Sequence, residues 1–253
     1  MHRIVAYLKF LFQSFHLHGI HSPFVYQFEQ ECLKDRKTHK TYRDIANYRT
    51  RLKGDNSNLS INDLGAGSRI TESATRRVRH ILQHSATTTK RCKLLYRLVQ
   101  YTQSKSILEL GTNLGVGTQA MALNPQAFIT SIEGCPNLHN FSRTHLQHLP
   151  NLSLINTDFK AALLNLKDKS WDLVFMDGHH NKEATLNYFE ALLPQLHSNS
   201  IVILDDINWS RGMQEAWAAL KAHPQVTVTI DTFFWGLVFF RHEQAKEHFT
   251  IRL

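Results

Sequence analysis

Ser106-Ile107-Leu108-Glu109-Leu110-Gly111-Thr112-Asn113-Leu114-Gly115-Val116-Gly117 decides how the rest of the chain is read. Its first five residues form a short apolar run with strand character, and the three glycines that follow let the backbone turn and approach a ligand closely. A ligand-binding turn of this kind needs a strand before it, a helix after it and an acidic residue ending the next strand about 20 residues on. All three are present: residues 118–123 are helical in pattern, residues 128–132 are an apolar strand, and Glu133 closes it. A rival turn at residues 61–68 carries Asp63, Gly65 and Gly67. It runs into Arg76, Arg77, Val78 and Arg79, which read as a basic helix with no second strand, so it is expected to be a loop beside the site.

Outward from this turn, the runs 106–111, 128–133, 152–158, 171–178 and 200–207 alternate with helical patterns such as 182–197 and 210–223. Alternation of this kind predicts a doubly wound, mostly parallel sheet. Residues 226–233 and 235–242 are separated by Phe234 alone, too little chain for a crossover, so they should close the sheet as an antiparallel hairpin. Toward the N-terminus, Ile4, Val5, Leu8, Leu11, Phe12 and Phe15 form a helical stripe whose simplest use is to pack against the sheet layer. Residues 18–23 break that helix, residues 52–60 read as a loop, and a further helix is expected over residues 90–101.

With 253 residues and 42% hydrophobic composition, the chain can bury one large core with an appendage. Its net charge of +8 divides unevenly. Residues 1–105 carry 19 Lys or Arg against 7 Asp or Glu, whereas residues 106–253 carry 10 against 14. The basic third could face an anionic substrate, nucleic acid or anionic lipid, or be a solvated surface. Cys32, Cys92 and Cys135 are scattered singly, which argues against a disulfide framework and a zinc site and for buried thiols. The chain has no apolar run of bilayer length and no cleavage-site pattern near its start, so a cytoplasmic protein is expected.

Two strand ends carry polar clusters, Phe175-Met-Asp-Gly-His-His-Asn181 and Ile203-Leu-Asp-Asp-Ile207. The carboxyl ends of parallel strands gather along one edge, so Asp177, Asp205 and Asp206 should converge there. Three clustered carboxylates need a cation or a proton, and an all-oxygen set suits magnesium. Alternatively, one Asp caps a helix and another accepts backbone hydrogen bonds.

On these motifs, residues 106–242 resemble class I S-adenosylmethionine-dependent methyltransferases, and the two carboxylate clusters resemble the metal-dependent small-molecule O-methyltransferases of the catechol, caffeoyl-CoA and macrocin type. The resemblance implies a seven-stranded Rossmann-like sheet with an antiparallel last strand. It implies a cofactor site of Glu109 near the methionine end, Gly111, Thr112, Gly115 and Gly117 in the turn, Glu133 on the ribose, Asp158 and Phe159 against the adenine, and Asp177. It also implies Mg2+ on Asp177, Asp205 and Asp206. Where that branch often places a catalytic lysine this chain has His180, a residue suited to accept a hydroxyl proton near neutral pH; His179 and Lys182 are the alternatives. A nicotinamide-dependent dehydrogenase is disfavoured by the Gly-x-x-x-Gly-x-Gly spacing and by the terminal hairpin.

The resulting expectation is residues 1–105 as a helical, basic lid or substrate region and residues 106–253 as the cofactor-binding catalytic domain. His16, His18, His21, Phe24 and Tyr26 would roof the pocket. The substrate would be a small hydroxylated molecule, conceivably anionic. RNA methylation through Arg76, Arg77, Arg79, Lys90, Arg91, Lys93 and Arg97 is the enzymatic alternative, a silent cofactor-binding protein the non-enzymatic one. Residues 1–15 could also lie on a membrane surface. The sequence leaves the substrate and the oligomeric state open.

Overall fold

The structure is a computed structural model that describes residues 2–14, 21–61 and 74–253. The N-terminal third is helical, as its apolar spacing predicts, around one small hairpin. It runs through α1 (His2–Gln13), α2 (Pro23–Phe28) with a π-helical turn over Glu29–Leu33, α3 (Tyr42–Gly54), β1 (Asn58–Ile61), β2 (Ala74–Arg77), α4 (Val78–His84) and α5 (Thr89–Thr102). Ser22 starts α2 by accepting a hydrogen bond from the Val25 N–H, with Pro23 at the first helical position where its missing N–H costs nothing.

The hairpin corrects two expectations. Residues 58–61 are a strand rather than a loop, and Arg76 and Arg77 lie on its antiparallel partner, with the helix beginning only at Val78. Pairing of Asn58 with Arg77 and Ile61 with Ala74 satisfies the backbone while the Arg side chains stay in water, so polar residues can occupy this strand without an apolar signature. The rival glycine turn from Asn62 to Ser68 lies outside the described residues, as do Phe15, His16 and His18.

From Ser106 onward the chain alternates as predicted: β3 (Ser106–Leu110), α6 (Val116–Ala122), β4 (Phe128–Glu133), α7 (Pro136–Leu146), β5 (Leu152–Asn156), α8 (Phe159–Asn165), β6 (Leu173–Met176), α9 (Lys182–Leu192), β7 (Ile201–Leu204), α10 (Arg211–Ala222), β8 (Val228–Asp231), β9 (Gly236–Phe239) and β10 (Glu247–Thr250). The sheet order is β10-β8-β9-β7-β6-β3-β4-β5. Strands β3 to β7 are parallel, and β9 enters antiparallel between β7 and β8 as the expected hairpin. The sheet has eight strands rather than seven, because β10 adds to the edge in parallel with β8. Its Glu-His-Phe-Thr sequence buries only Phe249, a pattern too short to announce a strand.

Both faces of the sheet are covered. On one, Phe28 of α2, Leu95 and Leu98 of α5 and Met121 of α6 pack against Ile107, Ile129 and Phe175. On the other, Leu163 of α8, Phe189 of α9 and Trp217 of α10 pack against Leu108, Val174 and Val202. A third cluster joins Ile45, Tyr48 and Leu52 of α3 to Leu114, Val116 and Leu146 beside the glycine turn. The three cysteines are buried and free, as expected.

α1 corrects the predicted stripe. Its packed residues are Ala6 and Phe10, set against Phe233, whereas Ile4 and Phe12 are 67% and 90% exposed. Among the described residues, no helix is long and apolar enough to cross a membrane.

Candidate active site

The glycine turn lies where β3 ends, and its glycines are there for steric reasons. Gly111 has φ +109°, and a Cβ at that position would lie 2.0 Å from the Asp177 carbonyl oxygen of the neighbouring strand end. Only glycine lets β3 and β6 deliver their ends this closely. Gly115 has φ +72°, and a Cβ there would press on Leu146. Asn113, between them, is also left-handed at φ +52°. From the N-terminal third, the Tyr48 hydroxyl donates to the Leu114 carbonyl at 2.7 Å and ties the turn to α3.

Glu133 reaches back to this turn from the end of β4. Its Oε2 accepts from the Asn113 N–H at 2.8 Å and its Oε1 from the Cys135 N–H at 2.9 Å. Burial raises its pKa, opposed by those backbone donors. Glu109 is buried deeper, at 1% exposure, and its Oε2 accepts from both Thr118 Oγ1 and Ser131 Oγ at 2.5 Å. Burial pushes its pKa up to about 7 against the pull of these hydroxyls. Its Oε1 is directed toward Gly117, 3.2 Å from where a Cβ would stand. Thr112, buried beside them, shares a 2.6 Å hydrogen bond with Ser131. Thr118 and Ser131 were not singled out from the sequence; their signal is a hydroxyl at helical and strand positions that face the buried acid.

Asp158, which the resemblance sets against the adenine, caps α8 by accepting from the Ala161 N–H at 2.9 Å. The following Phe159 is buried, and a Cβ at Gly178 would lie 2.6 Å from its ring. His179, left-handed at φ +61°, lies tilted against Phe159 with ring centroids 5.0 Å apart, and its Nδ1 lies 2.6 Å from the Tyr188 hydroxyl.

At the ends of β6 and β7, Asp177 and Asp205 come together as predicted. Their carboxyl groups share a hydrogen bond, and burial together with the neighbouring Asp205 and Asp206 charges pushes Asp177 well above the carboxylate range. Asp205 is raised as well, by burial first and then by Asp206, whose N–H donates to Asp205 Oδ1 at 2.7 Å. Two basic side chains flank the pair. Arg91 Nη1 lies 3.4 Å from Asp205 Oδ1, and His180 Nε2 lies 3.7 Å from Asp177 Oδ1. Of the three candidate bases, only His180 stands at the carboxylates. His179 turns to Tyr188, and Lys182 pairs with Glu215 at 3.0 Å between α9 and α10.

With this geometry, the sequence pattern of a family described as a methyltransferase domain matches residues 108–207. That match spans the glycine turn together with Glu109, Glu133, Asp177 and Asp205. No curated protein matches the chain by sequence. Solved structures agree on the fold. An O-methyltransferase from Bacillus cereus in complex with S-adenosylhomocysteine is 15% identical, with 85% of this chain and 96% of that one covered and a TM-score of 0.56. The O-methyltransferase TomG from Streptomyces achromogenes, involved in tomaymycin synthesis and bound to S-adenosylmethionine, is 16% identical over 86% and 95% at 0.57. The methyltransferase PaMTH1 from Podospora anserina, bound to S-adenosylhomocysteine, is 18% identical over 62% and 80% at 0.54. The fold of these structures is therefore shared by most of the chain.

The site continues beyond the matched segment. Arg91 belongs to α5, and its guanidinium also lies 4.3 Å over the Phe234 ring in the β8–β9 connection. The sequence presents Arg91 as one member of a basic run; its partner Asp205, 114 positions away, is visible only once the chain is folded. Arg91 and Phe234 line a cavity of about 380 Å³ between α1, α5 and the β8–β9 connection.

Proposed function

We propose that the protein is an S-adenosylmethionine-dependent O-methyltransferase of small hydroxylated molecules. The single observation that carries this reading is the ridge on which Glu109, Glu133 and the glycine turn stand beside the Asp177–Asp205 pair and His180. The cradle fits the cofactor: Gly111 and Gly115 keep the turn free of side chains, Glu133 offers a ribose-binding carboxylate, and Glu109 Oε1 is aimed at Gly117. When bound, S-adenosylmethionine supplies an electrophilic methyl group on a sulfonium. Phe159 would offer the adenine an apolar wall, and the Asp177 backbone lies close beside Gly111.

His180 is the proposed general base. Held against Asp177, it would accept the proton of the substrate hydroxyl and so free the oxygen for methyl transfer. The negative charge of the Asp177–Asp205 pair would steady the imidazolium this creates, and Arg91 balances that charge from the other side.

Magnesium assistance is a separate matter. The oxygen chemistry of Asp177, Asp205 and Asp206 suits a hard cation. As they are placed, however, no three His, Cys, Asp or Glu side chains among the described residues form a ligand set, and Arg91 and His180 already flank the pair. The arrangement does not fit the metal, and no step is assigned to it. An RNA substrate is less favoured, because Arg91 pairs with Asp205, Lys93 lies over Tyr42, and Arg97 is spent on Cys32, Leu33 and Tyr42.

Titration calorimetry with S-adenosylhomocysteine, with and without magnesium, tests the reading. Binding that is independent of the metal is expected, and no binding overturns the proposal. Turnover on a panel of catechols that survives a chelator supports His180 without metal; abolished turnover transfers that role to a cation.

A further inference from the structure

We infer that the cavity between α1, α5 and the β8–β9 connection is the acceptor pocket and that it selects a flat aromatic substrate carrying an anionic group. The inference rests on the methyltransferase reading above and names its substrate class. At about 380 Å³ the cavity falls in the range of small-molecule sites. Its walls combine aromatic rings, Tyr7, Phe10, Phe233 and Trp235, with the cations Lys90 and Arg252. Aromatic walls favour stacking of a planar ligand, while exposed cations in the lining hold an anion.

The cations are not equivalent. Arg97 also lines the cavity, but its three nitrogens are hydrogen-bonded to the Cys32 and Leu33 carbonyls and the Tyr42 hydroxyl, so it is structural. Arg91 is engaged with Asp205 and lies over Phe234, which places the inner end of the cavity against the reacting ridge. Lys90 and Arg252 are exposed and form no ion pair with a described residue. They are the charges available to a ligand. A substrate whose hydroxyl points toward Asp205, Asp177 and His180 would set its carboxylate or phosphate against Lys90 and Arg252.

The test compares ligands that differ in charge and little else, on the full chain by calorimetry. The probes are 3,4-dihydroxybenzoate and its methyl ester, and phenyl phosphate and phenol. The wild type should bind each anion about tenfold or more tighter than its neutral counterpart. In Lys90→Ala/Arg252→Ala that preference should shrink to about twofold or less, while the neutral ligands bind as before. Equal binding of charged and neutral probes to the wild type overturns the inference, and so does a preference that survives in the double variant. The larger preference of the two pairs tells a carboxylate reader from a phosphate reader. S-adenosylhomocysteine affinity, measured in parallel, reports on the methyltransferase reading alone, so the two failures are distinguishable.

Discussion

On the β3–β5 side of the ridge, the glycine turn, Glu109 and Glu133 come from one strand-helix-strand stretch, and each carboxylate is held by donors from that stretch. On the β6–β7 side, Asp205 meets Arg91 from 114 positions away, and the adjoining cavity needs α1, α5 and the β8–β9 connection together. The first region is a local solution to binding a ligand close to the backbone, with little freedom to vary. The second is assembled late in the hierarchy from side chains that no local rule dictates, which is where substrate choice can change without loss of the fold.

The contrast breaks most sharply at Gly111. Gly111→Ala should cost about 4 kcal/mol or prevent folding, because the new methyl group meets the Asp177 backbone and φ is +109°. Urea denaturation reads the cost; an unchanged midpoint would mean that β3 and β6 can part without penalty.

Next in size is a pH effect at Glu109. Its folded pKa lies near 7, above the ordinary 4.5, so the folded state holds the proton longer than the unfolded chain. Stability from this group is full below about 4.5 and is lost as pH rises through about 7. The apo wild type should therefore lose about 3 kcal/mol between pH 4.5 and 8 relative to Glu109→Gln. Denaturation at both pH values checks the sign, and parallel curves would remove the buried-acid account.

Glu133→Gln keeps one acceptor where two backbone donors now converge. A loss of about 2 kcal/mol in S-adenosylhomocysteine affinity is expected, with little change in the affinity for acceptor ligands. Arg91→Ala should do the reverse, lowering turnover roughly tenfold, about 1.4 kcal/mol, while cofactor affinity holds within about twofold. If both variants weakened both ligands alike, the two regions would be one unit. The smallest effect belongs to Lys182→Ala, whose pair with Glu215 is exposed and screened by solvent. Turnover should be unaffected there and lost in His180→Ala.

The same division explains what was legible beforehand. The parallel core and the closing hairpin announce themselves through apolar runs separated by helical spacing, and Glu133 through its distance from the glycines. The hairpin at residues 58–61 and 74–77 escaped because Ala-Thr-Arg-Arg has no apolar alternation, and its stability comes from backbone pairing that composition does not reveal. β10 escaped for want of more than one buried residue. The α1 stripe misled because a helix with apolar residues on several sides does not say which side is packed, and Phe233, the residue that decides it, lies far along the chain. Convergence of Asp177 and Asp205 followed from strand ends sharing one edge, but their basic partners depended on the tertiary fold.

The hydrogen bond from Tyr48 to Leu114 carries the local solution beyond its own stretch. The turn can open only if that bond and the packing of Ile45, Tyr48 and Leu52 around Leu114 and Val116 loosen with it. A ligand seated on the turn therefore slows the exchange of amide hydrogens in α3, a helix that need not touch it, and the N-terminal third becomes a gauge of cofactor occupancy.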